Sequence, residues 1–176
     1  MRDFNIRLLI YVLILSTFGV FIVYSATGKT VSQSLLSPTV KQVMGIGIGI
    51  AALIVLCILD YHKLVKWSWV LYILVIGLLV YVQLFSDPIY GARRWIYFPL
   101  LGTIQPSEFA KPVLLLALAF LIQKMGDNIN KITRLLLFFA AAGPILVLVF
   151  IEPDLSTTIV LFITILSVLF LGGISY

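Results

Sequence analysis

The 176 residues are 62% hydrophobic and only 11% charged, with a mean hydropathy of +1.17. An average soluble domain is nearer half apolar and a quarter charged, so a water-soluble globular fold is excluded and lipid must be the main solvent. The net charge of +5 comes without a clustered basic face or an RNA-binding motif, which argues against nucleic acid and for a membrane-topology origin of the excess.

A transmembrane helix needs about 20 mostly apolar residues. Uncharged windows at 8–28, 42–59, 67–86, 135–151 and 155–176 predict five spans. A sixth, 107–123, carries Glu108 and Lys111 inside an apolar stretch. The fold class expected is therefore an all-α polytopic membrane protein with about six transmembrane helices. The first window follows Arg2 and Arg7 but is too long for a signal-peptide core and lacks an A-x-A cleavage site, so it reads as a retained helix.

The connections are expected at 29–41, at 60–66 as a short turn, at 87–106 as the longest loop, around 127–131, and at 152–154 as a sharp turn. Tyr61, Trp67, Trp69 and Tyr72 sit near a span boundary and read as an aromatic belt, and His62 as an interfacial residue. Gly45 and Gly49, four apart, are a candidate close helix contact. Cys57, the single cysteine, reads as a small core residue and excludes a disulfide framework or a cysteine metal site. The chain ends at Tyr176 without a polar tail, as expected of the N-terminal part of a single longer transmembrane domain covering 1–176.

With a cytoplasmic N-terminus, Arg2, Arg7, Lys63, Lys66, Lys124, Lys131 and Arg134 lie inside, seven of the twelve Lys and Arg. Lys29, Lys41, Arg93, Arg94 and Lys111 lie in outer or re-entering segments and need another explanation.

The segment 91–111, GARRWIYFPLLGTIQPSEFAK, places two arginines and Trp95 at a membrane surface. It fits forked phosphate donors beside a flat apolar face, but by these residues alone it fits an anchor on lipid headgroups better. Pro106 suits the first turn of a helix, which puts Glu108 near the positive end of the dipole. Glu108 and Lys111 share a face and can pair, while Pro112 removes the donor for the Glu108 carbonyl. That pair is either a self-contained ion pair or a cationic site tuned by a carboxylate. In EPDLSTT, 152–158, Pro153 ends the fifth helix and Asp154 caps the sixth through the Ser156 or Thr157 amides. Capping leaves Glu152 unexplained, as a second carboxylate able to meet Lys111 or Arg94.

GARRWI, QPSEFAK and EPDLSTT, preceded by GVFIVYSAT in the first span and KQ at the start of the second, resemble the shape, elongation, division and sporulation (SEDS) family of RodA, FtsW and the sporulation homologue. The resemblance spans essentially the whole chain. It implies a ten-span fold with cytoplasmic termini in the bacterial cytoplasmic membrane. It also implies peptidoglycan glycosyltransferase activity on lipid II, with a class B penicillin-binding protein as partner. Within it Arg94, Lys111 and Asp154 match polar positions of the family's central cavity, and Trp95, Ser107 and Glu108 belong to the same signature. Glu152 and Ser156 depart from the QPDLGT of many relatives, and Thr103 stands where some carry a basic residue. The family's proposed catalytic aspartate lies beyond Tyr176, so this chain alone is expected to be inactive. No cofactor is called for, and a divalent cation stays open. A lipid II flippase and a non-catalytic scaffold of the cell-wall machinery are the competing classes.

Overall fold

A computed structural model describes residues 6–27, 37–88, 91–98, 102–126 and 131–173. The expected connections at 29–41 and 127–131 therefore lie largely outside the described residues, as do 89–90 and 99–101 of the long loop. Six helices run in order: α1 Ile6–Ala26, α2 Pro38–Ile58, α3 Tyr61–Phe85, α4 Pro106–Met125, α5 Ile132–Ile151 and α6 Leu155–Leu171. Helices α1, α2 and α5, with His62–Phe85 of α3, are long and apolar enough to cross a membrane, and α6 is a shorter apolar helix. The 20 residues of α4 span about 30 Å, the thickness of the hydrocarbon core. The fold is that of an all-α polytopic membrane protein.

Two elements differ from expectation. The turn expected at 60–66 is almost wholly helical, because Asp60 caps α3 at Tyr61 by accepting from the His62 amide, 3.0 Å from its Oδ1. His62 Nδ1 also lies 2.9 Å from that oxygen. The long loop contains a two-stranded sheet, β1 Ile96–Phe98 paired with β2 Gly102–Ile104, with Gly102 at φ 88, a left-handed conformation that favours glycine.

Helices α1 and α2, with Phe98 and Gly102, form one compact unit, and α3 to α6 with the remainder of the hairpin form another. In the first, neither helix has a buried residue. The close approach falls at Gly19, where an added Cβ would stand 3.7 Å from Gln42 Nε2, whereas Cβ atoms at Gly45 and Gly49 would meet nothing within 4 Å. The expected Gly45/Gly49 contact is therefore corrected to Gly19. Cys57 is exposed on α2, not in a core, because a two-helix pair has no interior at that face.

In the second unit α4 packs against α3, α5 and α6. Of its buried residues, Ser107, Ala110, Leu114, Ala117 or Leu118, Leu121 and Met125 recur every three or four positions and so form one stripe. Lipid tails are as apolar as leucine, so this stripe is held by close packing rather than by escape from water. The small residues Ala110, Ala117 and Ala142 let backbones approach, around a centre of Leu79, Leu114, Phe138, Ile145 and Leu161, all fully buried. Two members of the expected aromatic belt belong to this interior. Tyr72 is buried, stacks edge-on to Trp69 with centroids 5.4 Å apart, and donates its hydroxyl to the Ala141 carbonyl of α5 at 2.6 Å. Trp67 alone of the three described rings is well exposed.

Candidate functional site

Helices α3 and α5 both end at the face where the hairpin leads into α4. Their last carbonyls lack intrahelical donors and carry the negative end of the dipole. Arg93 Nη1 donates to the Gln83 carbonyl in the last turn of α3, at 3.3 Å. Arg94 takes the end of α5, with Nε donating to the Glu152 carbonyl at 2.8 Å and Nη2 to the Pro153 carbonyl at 2.6 Å. Pro153 has no amide to extend the helix, and the guanidinium fork supplies the missing donors. Two of the outer cations that needed another explanation thus bind helix ends. The Arg94 Cζ atom also stands 5.8 Å from the Trp95 ring centroid.

Asp154 starts α6. Its Oδ1 accepts from the Thr157 amide at 3.2 Å and the Ser156 hydroxyl at 3.0 Å. Its Oδ2 accepts from the Thr157 hydroxyl at 2.9 Å and Gln105 Nε2 at 2.8 Å. The expected cap is present through Thr157, while Ser156 contributes its hydroxyl and not its amide. Gln105 Nε2 also bonds Ser107 Oγ at 2.8 Å. Burial pushes the Asp154 carboxyl upward, but the bonds from Thr157 and Ser156 and the charge of Arg94 outweigh it and hold its pKa below the ordinary value. Asp154 therefore stabilises the fold above that range and loses its contribution as pH falls through the depressed value.

Glu152 is 1% exposed, and neither carboxyl oxygen has a hydrogen-bond partner. Burial, reinforced by Asp154 and only partly opposed by Arg94, pushes its pKa up to about 7. Glu152 meets Arg94 through its backbone carbonyl and makes no bond to Lys111. Lys111 instead pairs with Glu108, Nζ to Oε1 at 2.8 Å, in a half-open position. Among the described residues no bond links this pair to the Arg94, Gln105, Ser107, Glu152 and Asp154 cluster. Two site residues escaped the sequence reading. Gln105, the N-cap of α4, makes no side-chain cap bond there, and its placement just before an N1 proline was the available signal. Gln83, an amide in an apolar span, was the other.

No group of three or more His, Cys, Asp or Glu able to hold a metal occurs among the described residues. The Asp154 oxygens are engaged by four donors, and Glu152 is enclosed beside a guanidinium, so these two carboxylates do not fit a divalent cation.

Asp154→Asn is expected to keep the Oδ1 cap but turn an amide nitrogen toward Gln105 Nε2 and the Thr157 hydroxyl. It should cost about 1–3 kcal/mol, and Asp154→Ala more, by leaving buried donors unpaired. Thermal unfolding of the purified protein in lipid nanodiscs measures this.

Membrane-scale helices with charged and amide side chains converging at one end define a multi-pass membrane protein with a polar site at one face of the bundle. The FtsW, RodA and SpoVE family model, described as cell cycle protein, matches residues 6–176, and the chain belongs to that family. The peptidoglycan glycosyltransferase RodA of Treponema pallidum is 30% identical in an alignment that covers 97% of this chain and 39% of that protein. A probable peptidoglycan glycosyltransferase FtsW of Trichlorobacter lovleyi is 27% identical, over 98% of this chain and 47% of that one. A mutant of the rod shape determining protein RodA of Thermus thermophilus, solved as a crystal structure, superposes with a TM-score of 0.83 at 26% identity, over 99% of this chain and 55% of that one. A chain from a peptidoglycan synthase complex, solved in a study of coordinated polymerization and crosslinking, gives 0.82 at 28% identity, over 97% and 48%. The chain thus spans less than half the length of these curated relatives.

Proposed function

We propose that the complete protein is a peptidoglycan glycosyltransferase that polymerises lipid II with inversion, forming a β-1,4 bond as a polyprenyl diphosphate leaves. Membership of a family whose curated relatives bear that name carries the reading. The half-open Lys111 supports it, as a fixed cation of the kind that the developing charge of a leaving diphosphate calls for. Glu108 orients Lys111, and the backbone donors at the start of α4 favour an anion nearby. Asp154, Gln105 and Ser107 join the start of α6 to that of α4, Arg94 holds the end of α5, and Trp95 offers an apolar face. The base that takes the proton of the acceptor hydroxyl is expected in the part of the relatives' length that this chain does not span, and the residues 1–176 by themselves are expected to be inactive. The arginine and lysine distribution supports a cytoplasmic N-terminus in the bacterial inner membrane, and the kinship with a synthase complex supports a class B penicillin-binding protein as partner.

The test supplies lipid II to the complete protein with that partner in lipid vesicles, following glycan chains by gel and lipid II sidedness by an impermeant reagent. Polymer without lipid II movement supports the enzyme. Movement without polymer would establish a flippase instead, and neither would leave a scaffold.

A further inference from the structure

Beside Glu152, the face where α3 and α5 end holds a second orphaned acceptor, Gln83 Oε1, which is buried without a hydrogen-bond partner. Buried acceptors in a folded protein almost always have a donor, and leaving one unmet is costly. Gln83 and Glu152 stand at the same end of the two helices, their backbone carbonyls held by the adjacent Arg93 and Arg94. Tyr72 of α3 bonds Ala141 of α5, and the helices run parallel, since α4 lies between them in the chain and Arg93 and Arg94 cap both at the same end. Gln83 stands eleven residues past Tyr72 and Glu152 eleven past Ala141, about 16 Å and three turns along each axis. Three whole turns return each position to the face its predecessor presents to the other helix.

We propose that a proton joins the ends of α3 and α5: Glu152 stands as the neutral carboxylic acid and donates its O–H to Oε1 of Gln83. A neutral acid is the one form of Glu152 that is itself a donor, so one proton satisfies an acceptor on each helix. The charges around it favour this form. Asp154 on the same turn repels a carboxylate. Arg94, from the α3–α4 connection, attracts one, but two of its nitrogens are committed to the Glu152 and Pro153 carbonyls. The first turn of α6 carries no titratable group, and the charged residues at the start of α4, Glu108 and Lys111, pair with each other. Tyr81, Asp87 and Arg93, at the end of α3 and just after it, are exposed. Loss of the proton sets a carboxylate against the Gln83 carbonyl oxygen and draws the Arg94 fork from the carbonyls it holds. The end of the bundle that frames the site is therefore built to respond to proton uptake. This inference concerns the fold and holds whether or not the chain polymerises lipid II.

Infrared difference spectra between the complete protein and its Glu152→Gln variant, in lipid nanodiscs, test it. Glutamine keeps the shape and donates its amide to Gln83, so the variant should fold. The expected result is a carboxylic-acid C=O band belonging to Glu152 that disappears as pH rises through about 7. In Gln83→Met, which has similar bulk but no carbonyl, the band should persist and move to higher frequency as its hydrogen bond is lost. Absence of an acid band on the acidic side of neutrality would overturn the proposal, leaving an ionised Glu152 solvated by water. A band unmoved by Gln83→Met would also overturn it, by sending the proton elsewhere.

Discussion

Lys111→Ala in the complete protein is expected to lower lipid II polymerisation about a hundredfold to a thousandfold, the usual effect of removing one preorganised donor to developing charge, while thermal stability changes by less than about 1 kcal/mol. The contrast follows from where the pair sits. Lys111 and Glu108 are 30% and 57% exposed, and ion pairs so open contribute little to folding. The charge-exchanged double variant, Glu108→Lys with Lys111→Glu, restores a pair but moves the cation one helical turn. It should be as inactive as Lys111→Ala and less stable than the parent by no more than about 1 kcal/mol, the cost of a cation in the first turn of a helix. Activity surviving in either variant would return the pair to a purely structural role. Binding of lipid II separates two ways of failing: if binding is intact while polymerisation is lost, Lys111 acts on the transition state.

Arg94→Ala is expected to fail differently, by loss of stability. Two charged hydrogen bonds to the Glu152 and Pro153 carbonyls disappear, each of a type that contributes about 1.5–3 kcal/mol and not fully additive with its neighbour. The charge that opposes Asp154 at Glu152 disappears with them. Arg94→Lys keeps the charge without the fork and should fall between. Unfolding temperature in nanodiscs, measured beside lipid II binding, reads the outcome. A fully stable Arg94→Ala that no longer binds lipid II would make phosphate recognition, and not helix termination, the residue's main work. The pH dependence adds a second readout in the parent protein. With its pKa raised from 4.5 to about 7, Glu152 contributes stability that is fully present below its unfolded pKa and lost as pH rises through about 7. The loss is on the order of 3 kcal/mol. Glu152→Gln should flatten that slope.

What the sequence determined by itself was the solvent, the number and rough bounds of the helices, the α4 start at Pro106, the α5–α6 break at Pro153 and the pairing of Glu108 with Lys111. All of these depend on neighbours within one or two turns, or on composition summed over a span, and both survive without tertiary information. The ordered motifs around Arg94, Lys111 and Asp154 also carried the family. The sequence left open whether a polar side chain at the membrane surface meets lipid, ligand or a helix end, because that depends on partners far along the chain. Only the tertiary structure set Arg94 on carbonyls 58 and 59 residues away, Gln105 on Asp154 across 49 and Tyr72 on α5 across 69. The same packing enclosed Glu152 without a partner, and so turned a carboxylate that composition alone would leave ionised into one that can hold a proton near neutral pH.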